Sequence, residues 1–158
     1  MTALVCRFQP ADFVALQIDT GMMIILRLIT SFFGVYGFSL MFNSPRKMAM
    51  TAGLIGMFAN TLRLELIDLA HFPVGIAAFI GAFFTGCVAS IVKKKIGYPR
   101  ISLTVPAIVI MVPGLYMYRG IYYIGLNEIG DGSLWLTKAI LIVMALPMGL
   151  VAARLCTD

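Results

Sequence analysis

Asn60 and Arg63 stand three positions apart in one apolar stretch, and Arg119 follows Pro113-Gly114 in another. Arginine suits carboxylate ligands because its planar fork can hold both oxygens at once. A cation in the bilayer core costs about 2.5–3.5 kcal/mol on insertion scales, so it faces a bundle interior or snorkels outward. The stretch at 101–123 reads ISLTVPAIVIMVPGLYMYRGIYY, and Pro106 and Pro113-Gly114 interrupt it. Proline removes a backbone donor and clashes with the preceding turn. In lipid the freed carbonyls need partners, which places such a break inside protein or along a cavity. A helix restarting after Pro113-Gly114 also presents unpaired N–H groups near Met117, and that terminus attracts an anion. Many transporters build a substrate site from a broken span with a cation beside it. Arg119, Pro113 and Gly114 are therefore the first candidates for holding a substrate carboxylate, and Arg63 and Asn60 the second.

Each candidate has a plainer reading. Arg27 reads as a snorkelling interfacial arginine. Arg63 divides between a structural pair and substrate contact. Glu65 is two residues from Arg63, so the two point to different faces; it reads as paired with an arginine, or as a proton carrier if buried. Tyr116, Tyr118, Tyr122 and Tyr123 read as an interfacial aromatic belt. By helical rise, Arg27, Arg63 and Arg119 fall at a similar depth, in the outer half of the membrane. Cations outnumber carboxylates at that level, which favours an anionic guest.

These residues need a membrane bundle to position them. The chain has 158 residues, is 61% hydrophobic and only 12% charged, about half the usual charged share. Mean hydropathy is +0.98. A soluble domain of this size cannot bury so much apolar surface. Hydrophobic segments run over about 22–42, 47–69, 72–92, 101–126 and 134–155, each near the length of one crossing. The expected fold is all-α: a single integral membrane domain over residues 1–158 with about five transmembrane helices, the fourth broken at Pro113-Gly114. Residues 1–20 form an N-terminal tail, and Pro10-Ala11-Asp12 is placed to open an interfacial helix. A four-span arrangement with a re-entrant fourth segment is the rival.

The net charge of +5 does not signal nucleic acid, because the cations cluster at the ends of apolar runs. Arg46 and Lys47, Lys93–Lys95 with Arg100, and Arg154 all fall on one side of a five-span bundle. That side is expected to be cytoplasmic, with the N-terminus out and the C-terminus in. Lys93–Lys95 read as a topology and lipid-headgroup signal. Ala52, Gly56 and Asn60, and Ala82, Gly86 and Ser90, form four-residue ladders that let helices approach closely. Cys6, Cys87, Cys156 and His71 lack metal-ligand spacing, so no metal or cofactor is expected. No nucleophile elbow, phosphate loop or nucleotide fingerprint is present, and the chain is not expected to be an enzyme.

GFSLMFNSPRKM, TVPAIVIMVPGLYMYRG and Arg63 together resemble the threonine/serine exporter family, most closely its small YjjB-type subunit. The likeness covers about residues 25–155. Its most specific part is the spacing of Pro106, Pro113, Gly114, Arg119 and Gly120. The resemblance implies export of small amino acids such as threonine or serine, or of small carboxylates, driven by the proton gradient across the inner membrane. It also implies a second, YjjP-type membrane subunit, since this chain corresponds to the C-terminal half of the full-length exporters. The competing expectation is a non-transporting scaffold that stabilises a partner, and either role admits an oligomer.

Overall fold

A computed structural model describes residues 19–157; the interfacial helix expected near Pro10 lies outside them. Six helices follow in order among the described residues: α1 (Thr20–Met41), α2 (Arg46–Asp68), α3 (Val74–Ile96), α4 (Arg100–Val109), α5 (Gly114–Gly125) and α6 (Ile129–Thr157). There is no strand among them. α4 and α5 are the two halves of the fourth hydrophobic segment, so the architecture is five rods with the fourth broken.

Proline punctuates the chain. Pro45, Pro73, Pro99 and Pro113 are the N-cap residues of α2, α3, α4 and α5. Proline cannot continue the helix before it, yet its fixed φ already suits the helix after it. At the first three, ψ is 142°, 137° and 128°, which is extended backbone leaving a loop. At Pro113 ψ is 53°, so the chain turns tightly within the rod instead. Pro106 behaves differently from expectation: it lies inside α4, and the helix continues through it.

Four rods are long and apolar enough to cross a membrane: α1, α3, α4 with α5, and α6. The chain is a multi-pass membrane protein. The second segment, read from sequence as a fifth crossing, is long enough at 23 residues but less apolar. The reason is its position. α2 packs on α1, α3 and α4 and contributes ten buried residues, Asn60, Thr61 and Arg63 among them. A helix walled in by other helices need not be apolar on every face. The outer faces of the other rods carry large exposed apolar side chains, such as Phe33, Ile101, Ile121 and Leu155, which suits contact with lipid tails.

Small residues set the helix spacing. The buried core is rich in alanine: Ala49, Ala52, Ala59, Ala77, Ala78, Ala82, Ala89, Ala107, Ala139 and Ala153. On the α2 ladder, a Cβ added at Gly56 would lie 2.5 Å from the Val35 side chain of α1. On the α3 ladder, one added at Gly86 would lie 2.5 Å from Ala153 Cβ of α6. Both stripes are therefore helix contacts. The tightest approach to backbone is at Gly149 of α6, where a Cβ would stand 2.5 Å from the Phe79 carbonyl oxygen. Backbone cannot swing away as a side chain can, so Gly149→Ala should push α6 off α3. The expected cost is about 1–3 kcal/mol, the usual range for overpacking. At Gly37 an added Cβ meets nothing within 4 Å, so Gly37→Ala should be near neutral. Thermal unfolding of both variants in detergent checks this; equal midpoints would refute the close-approach account.

Candidate functional site

The break in the fourth rod is built from Ile110, Met111, Val112 and Pro113. α4 ends at Val109, and Met111 and Val112 close a tight turn through N–H bonds to the Ile108 and Val109 carbonyls. Pro113 then supplies no N–H. The break is deep inside the bundle: Met111 is fully buried, packed with Ala59, Ala78, Ala82, Ile142 and Leu146. Its carbonyl points away from any helix ladder and needs a donor.

Arg63 is that donor. Its Nη1 donates to the Met111 carbonyl oxygen at 2.5 Å, linking α2 to the break. The residue is only 9% exposed, and its Nε has no partner among the described residues. One turn earlier, Asn60 Nδ2 donates to Ser31 Oγ of α1 at 2.9 Å, while Asn60 Oδ1 is buried and unpartnered. Thr61 Oγ1, also on α2, is a third buried polar atom without a partner. Buried polar atoms are normally satisfied, so three unpartnered ones on one stretch of α2 set this region apart from the rest of the core. Arg63 and Asn60 thus share a face, as their spacing implied, and Arg63 meets the Pro113 break.

Arg119 is elsewhere. From α5 its guanidinium lies over the Trp135 ring of α6, 4.8 Å from the centroid. Lys138 Nζ stands 5.0 Å from the same centroid. Two cations on one indole gain cation–π attraction but leave their charge uncompensated. Neither has a carboxylate partner among the described residues. Tyr116, one turn before Arg119, connects the two regions. Its ring is 5.5 Å from Trp135, and it packs against the Met111 cluster. Tyr116 therefore turns inward from the expected aromatic belt, whereas Tyr118 and Tyr122 stack on each other. Gly114 is exposed and Pro113 buried, at the hinge between α4 and α5.

Arg27 proves to be an ion-paired residue rather than a snorkelling one. Its two terminal nitrogens bond Glu65 at 2.8 Å and Asp68, clamping α1 to the C-terminal end of α2. Glu65 is thereby the arginine-paired carboxylate that its sequence position suggested. Sequence reading missed Trp135 and Lys138. Their three-residue spacing on an apolar helix was the available signal, since it puts both on one face. Among the described residues there is no cluster of His, Cys, Asp or Glu able to hold a metal ion.

The Arg63–Met111 contact makes a stability prediction. Arg63→Ala leaves a buried carbonyl without a donor, a loss of about 1–3 kcal/mol. Arg63→Lys retains a donor for that carbonyl and should recover much of the loss. Detergent melting of the two variants checks it; equal destabilisation would show that the carbonyl does not depend on this donor.

No curated protein and no solved structure matches the chain. A protein family described as threonine/serine exporter, ThrE, matches residues 27–156. That match runs from the Arg27 clamp in α1 through the Pro113 break to the end of α6, and it makes the chain a member of the threonine/serine exporter family.

Proposed function

We propose that this chain is a membrane subunit of a secondary exporter that moves small amino acids, such as threonine and serine, or small carboxylates. The partner in this reading is a second, YjjP-type membrane subunit, and the complex works in the inner membrane with the N-terminus of this chain outside and the C-terminus in the cytoplasm. The observation that carries the proposal is the meeting of Arg63 with the break at Met111–Pro113. It sets a half-used guanidinium and an unfilled amide oxygen in the core of the bundle. The unfilled Nε of Arg63 offers a donor to a carboxylate, and Asn60 Oδ1 offers an acceptor to an ammonium or hydroxyl group. Arg119 and Lys138, around Trp135, form the cationic approach to it. Pro113 and Gly114 supply the turn that keeps α5 a separate helix from α4.

The function test is flux from proteoliposomes containing this chain with and without the YjjP-type subunit. Flux only from the pair supports the reading. Flux from the partner alone, unchanged by this chain, would make this chain a scaffold. Within the active complex, transport should fall in the order wild type, Arg119→Lys, Arg119→Ala, because lysine keeps the charge and loses the fork. A lost charged hydrogen bond costs about 1.5–3 kcal/mol, so apparent affinity should drop about tenfold or more. Normal flux and affinity in Arg119→Ala at matched protein level would remove Arg119 from the site.

Topology has its own test. The connection between α5 and α6 contains Asn127, Glu128 and no cation, whereas Lys93–Lys95 end α3. In a cysteine-free background, Asn127→Cys should react with an impermeant thiol reagent applied outside the cell, and Lys95→Cys should not. The opposite pattern overturns the orientation.

A further inference from the structure

α5 (Gly114–Gly125) packs along α6 and makes no comparable contact with another described helix. On the side toward α6 the fit is close: a Cβ at Gly120 would stand 2.7 Å from the Leu136 side chain. The side turned away from α6 is open. Leu115, Tyr118 and Ile121 are exposed at 53%, 51% and 65%. Leu115, Tyr118 and Tyr122 are spaced by three and four residues, so they form one stripe along the helix. Tyr118 and Tyr122 stack with ring centroids 6.3 Å apart, which makes part of this surface aromatic.

Two features of the open side do not suit lipid tails. The first is backbone. The N–H groups of Gly114 and Met117 find acceptors in the Val112 and Pro113 carbonyls, but those of Leu115 and Tyr116 find none among the described residues, and no side chain caps the helix. Gly114 and Leu115 are exposed there, and hydrocarbon offers a donor no partner. The second is charge. Arg119 is four residues after Leu115 and three before Tyr122, so it borders the stripe. It rests on Trp135 at 4.8 Å and meets no carboxylate among the described residues. A ring face attracts the guanidinium without neutralising it. A cation at this depth in a membrane helix is stabilised by an acid on a neighbouring helix.

We propose that the side of α5 turned away from α6 is a docking surface for a membrane-spanning helix of another polypeptide, one that presents an Asp or Glu at the depth of Arg119. The helix lies along Leu115, Tyr118 and Tyr122, and its carboxylate pairs with Arg119. A second copy of this chain does not supply that acid. Glu65 and Asp68 are taken by Arg27, and Asp19, Glu128 and Asp131 stand at helix ends. Arg119 is six residues inside the end of α5, about 9 Å by helical rise. One partner carboxylate also leaves Lys138 charged beside Trp135, so the approach described above keeps a cation. The docking does not depend on what solute is carried.

Photocrosslinking in intact cells provides the test. Benzoylphenylalanine is placed at Tyr118 or Ile121 of α5, and for comparison at Phe33 of α1 or Met148 of α6, which are also exposed. The α5 positions should give a discrete polypeptide adduct and the other two should not. Arg119→Gln should lower the Tyr118 adduct about tenfold or more, and Arg119→Lys should keep most of it. Peptide mapping should place the adduct on a membrane helix containing Asp or Glu. Changing that acid to Arg should restore the adduct in Arg119→Asp, which shows that the loss came from charge and not from misfolding. Adducts to lipid alone, to a second copy or to residues 1–18 of the same chain would overturn the proposal. So would equal adducts at all four positions, an adduct indifferent to Arg119, a captured helix without an acid, or failure of the charge exchange. No solute or gradient is needed, so failed flux leaves the docking surface standing. Capture of an acid-bearing helix from a protein other than the YjjP-type subunit would overturn the partner named above and uphold this surface.

Discussion

A carbonyl group freed in the middle of a membrane must find a donor, and the Met111 carbonyl finds it in Arg63. Much else follows from that contact. For the guanidinium to reach the break, α2 has to run through the middle of the bundle, flanked by α1, α3 and α4. That position requires close approach on several sides, which the alanines and glycines of α2 and α3 permit. It also relieves α2 of the need to be apolar all round. The least apolar long helix is the one that brings a charge into the core.

The distribution of charge then separates the three arginines that sequence depth alone had grouped. Arg27 is neutralised by Glu65 and Asp68, and its work is to hold α1 against α2. Arg63 is buried and spends one nitrogen on backbone, with Nε left over. Arg119 lies on an indole beside Lys138 and meets no carboxylate among the described residues. Because both carboxylates near the C-terminal end of α2 are committed to Arg27, Arg63 in the core and Arg119 beside Trp135 have no carboxylate partner among the described residues. That excess of positive charge is a property of the arrangement. No single arginine provides it.

The helices, their order and the broken fourth rod were legible because they rest on local rules. Apolar runs of membrane length, prolines at the restarts of α2 to α5 and small residues every fourth position are visible without any tertiary knowledge. The site was legible only in part. Asn60 with Arg63 could be placed on one face from their spacing, and the Pro113 break could be placed inside protein from the carbonyl argument. Which arginine would reach the break could not be read, because the choice depends on how α2 lies against α4 and α5. Depth along the membrane is one coordinate, and azimuth around each helix axis in the folded bundle is the other. Arg119 has the right depth and sits next in sequence to the break, yet it faces α6. Arg63 is 48 residues from Met111 and touches it. The Trp135–Lys138 pair was missed for the same reason, since its meaning comes from a ring on α6 meeting a cation on α5.

Proline shows how context turns one chemistry to two uses. At Pro45, Pro73 and Pro99 the missing N–H falls where a loop is ending, so little is left unsatisfied. At Pro113 the same missing N–H falls within a rod, with Met111 fully buried two residues earlier. The tight ψ there keeps α5 close to α4 in place of releasing the chain into a loop. The cost is a buried Met111 carbonyl that lacks a helical partner, while the N-terminus of α5 at Gly114 and Leu115 is exposed. Arg63 settles the carbonyl, while nothing caps α5 through a side chain. Contrary to the expectation of unpaired N–H groups near Met117, the N–H groups of Gly114 and Met117 donate to the Val112 and Pro113 carbonyls, so the turn satisfies part of its own donor side. The break thus brings one charged side chain into the core to meet one freed carbonyl, and it leaves the buried Arg63 Nε beside that contact without a partner among the described residues.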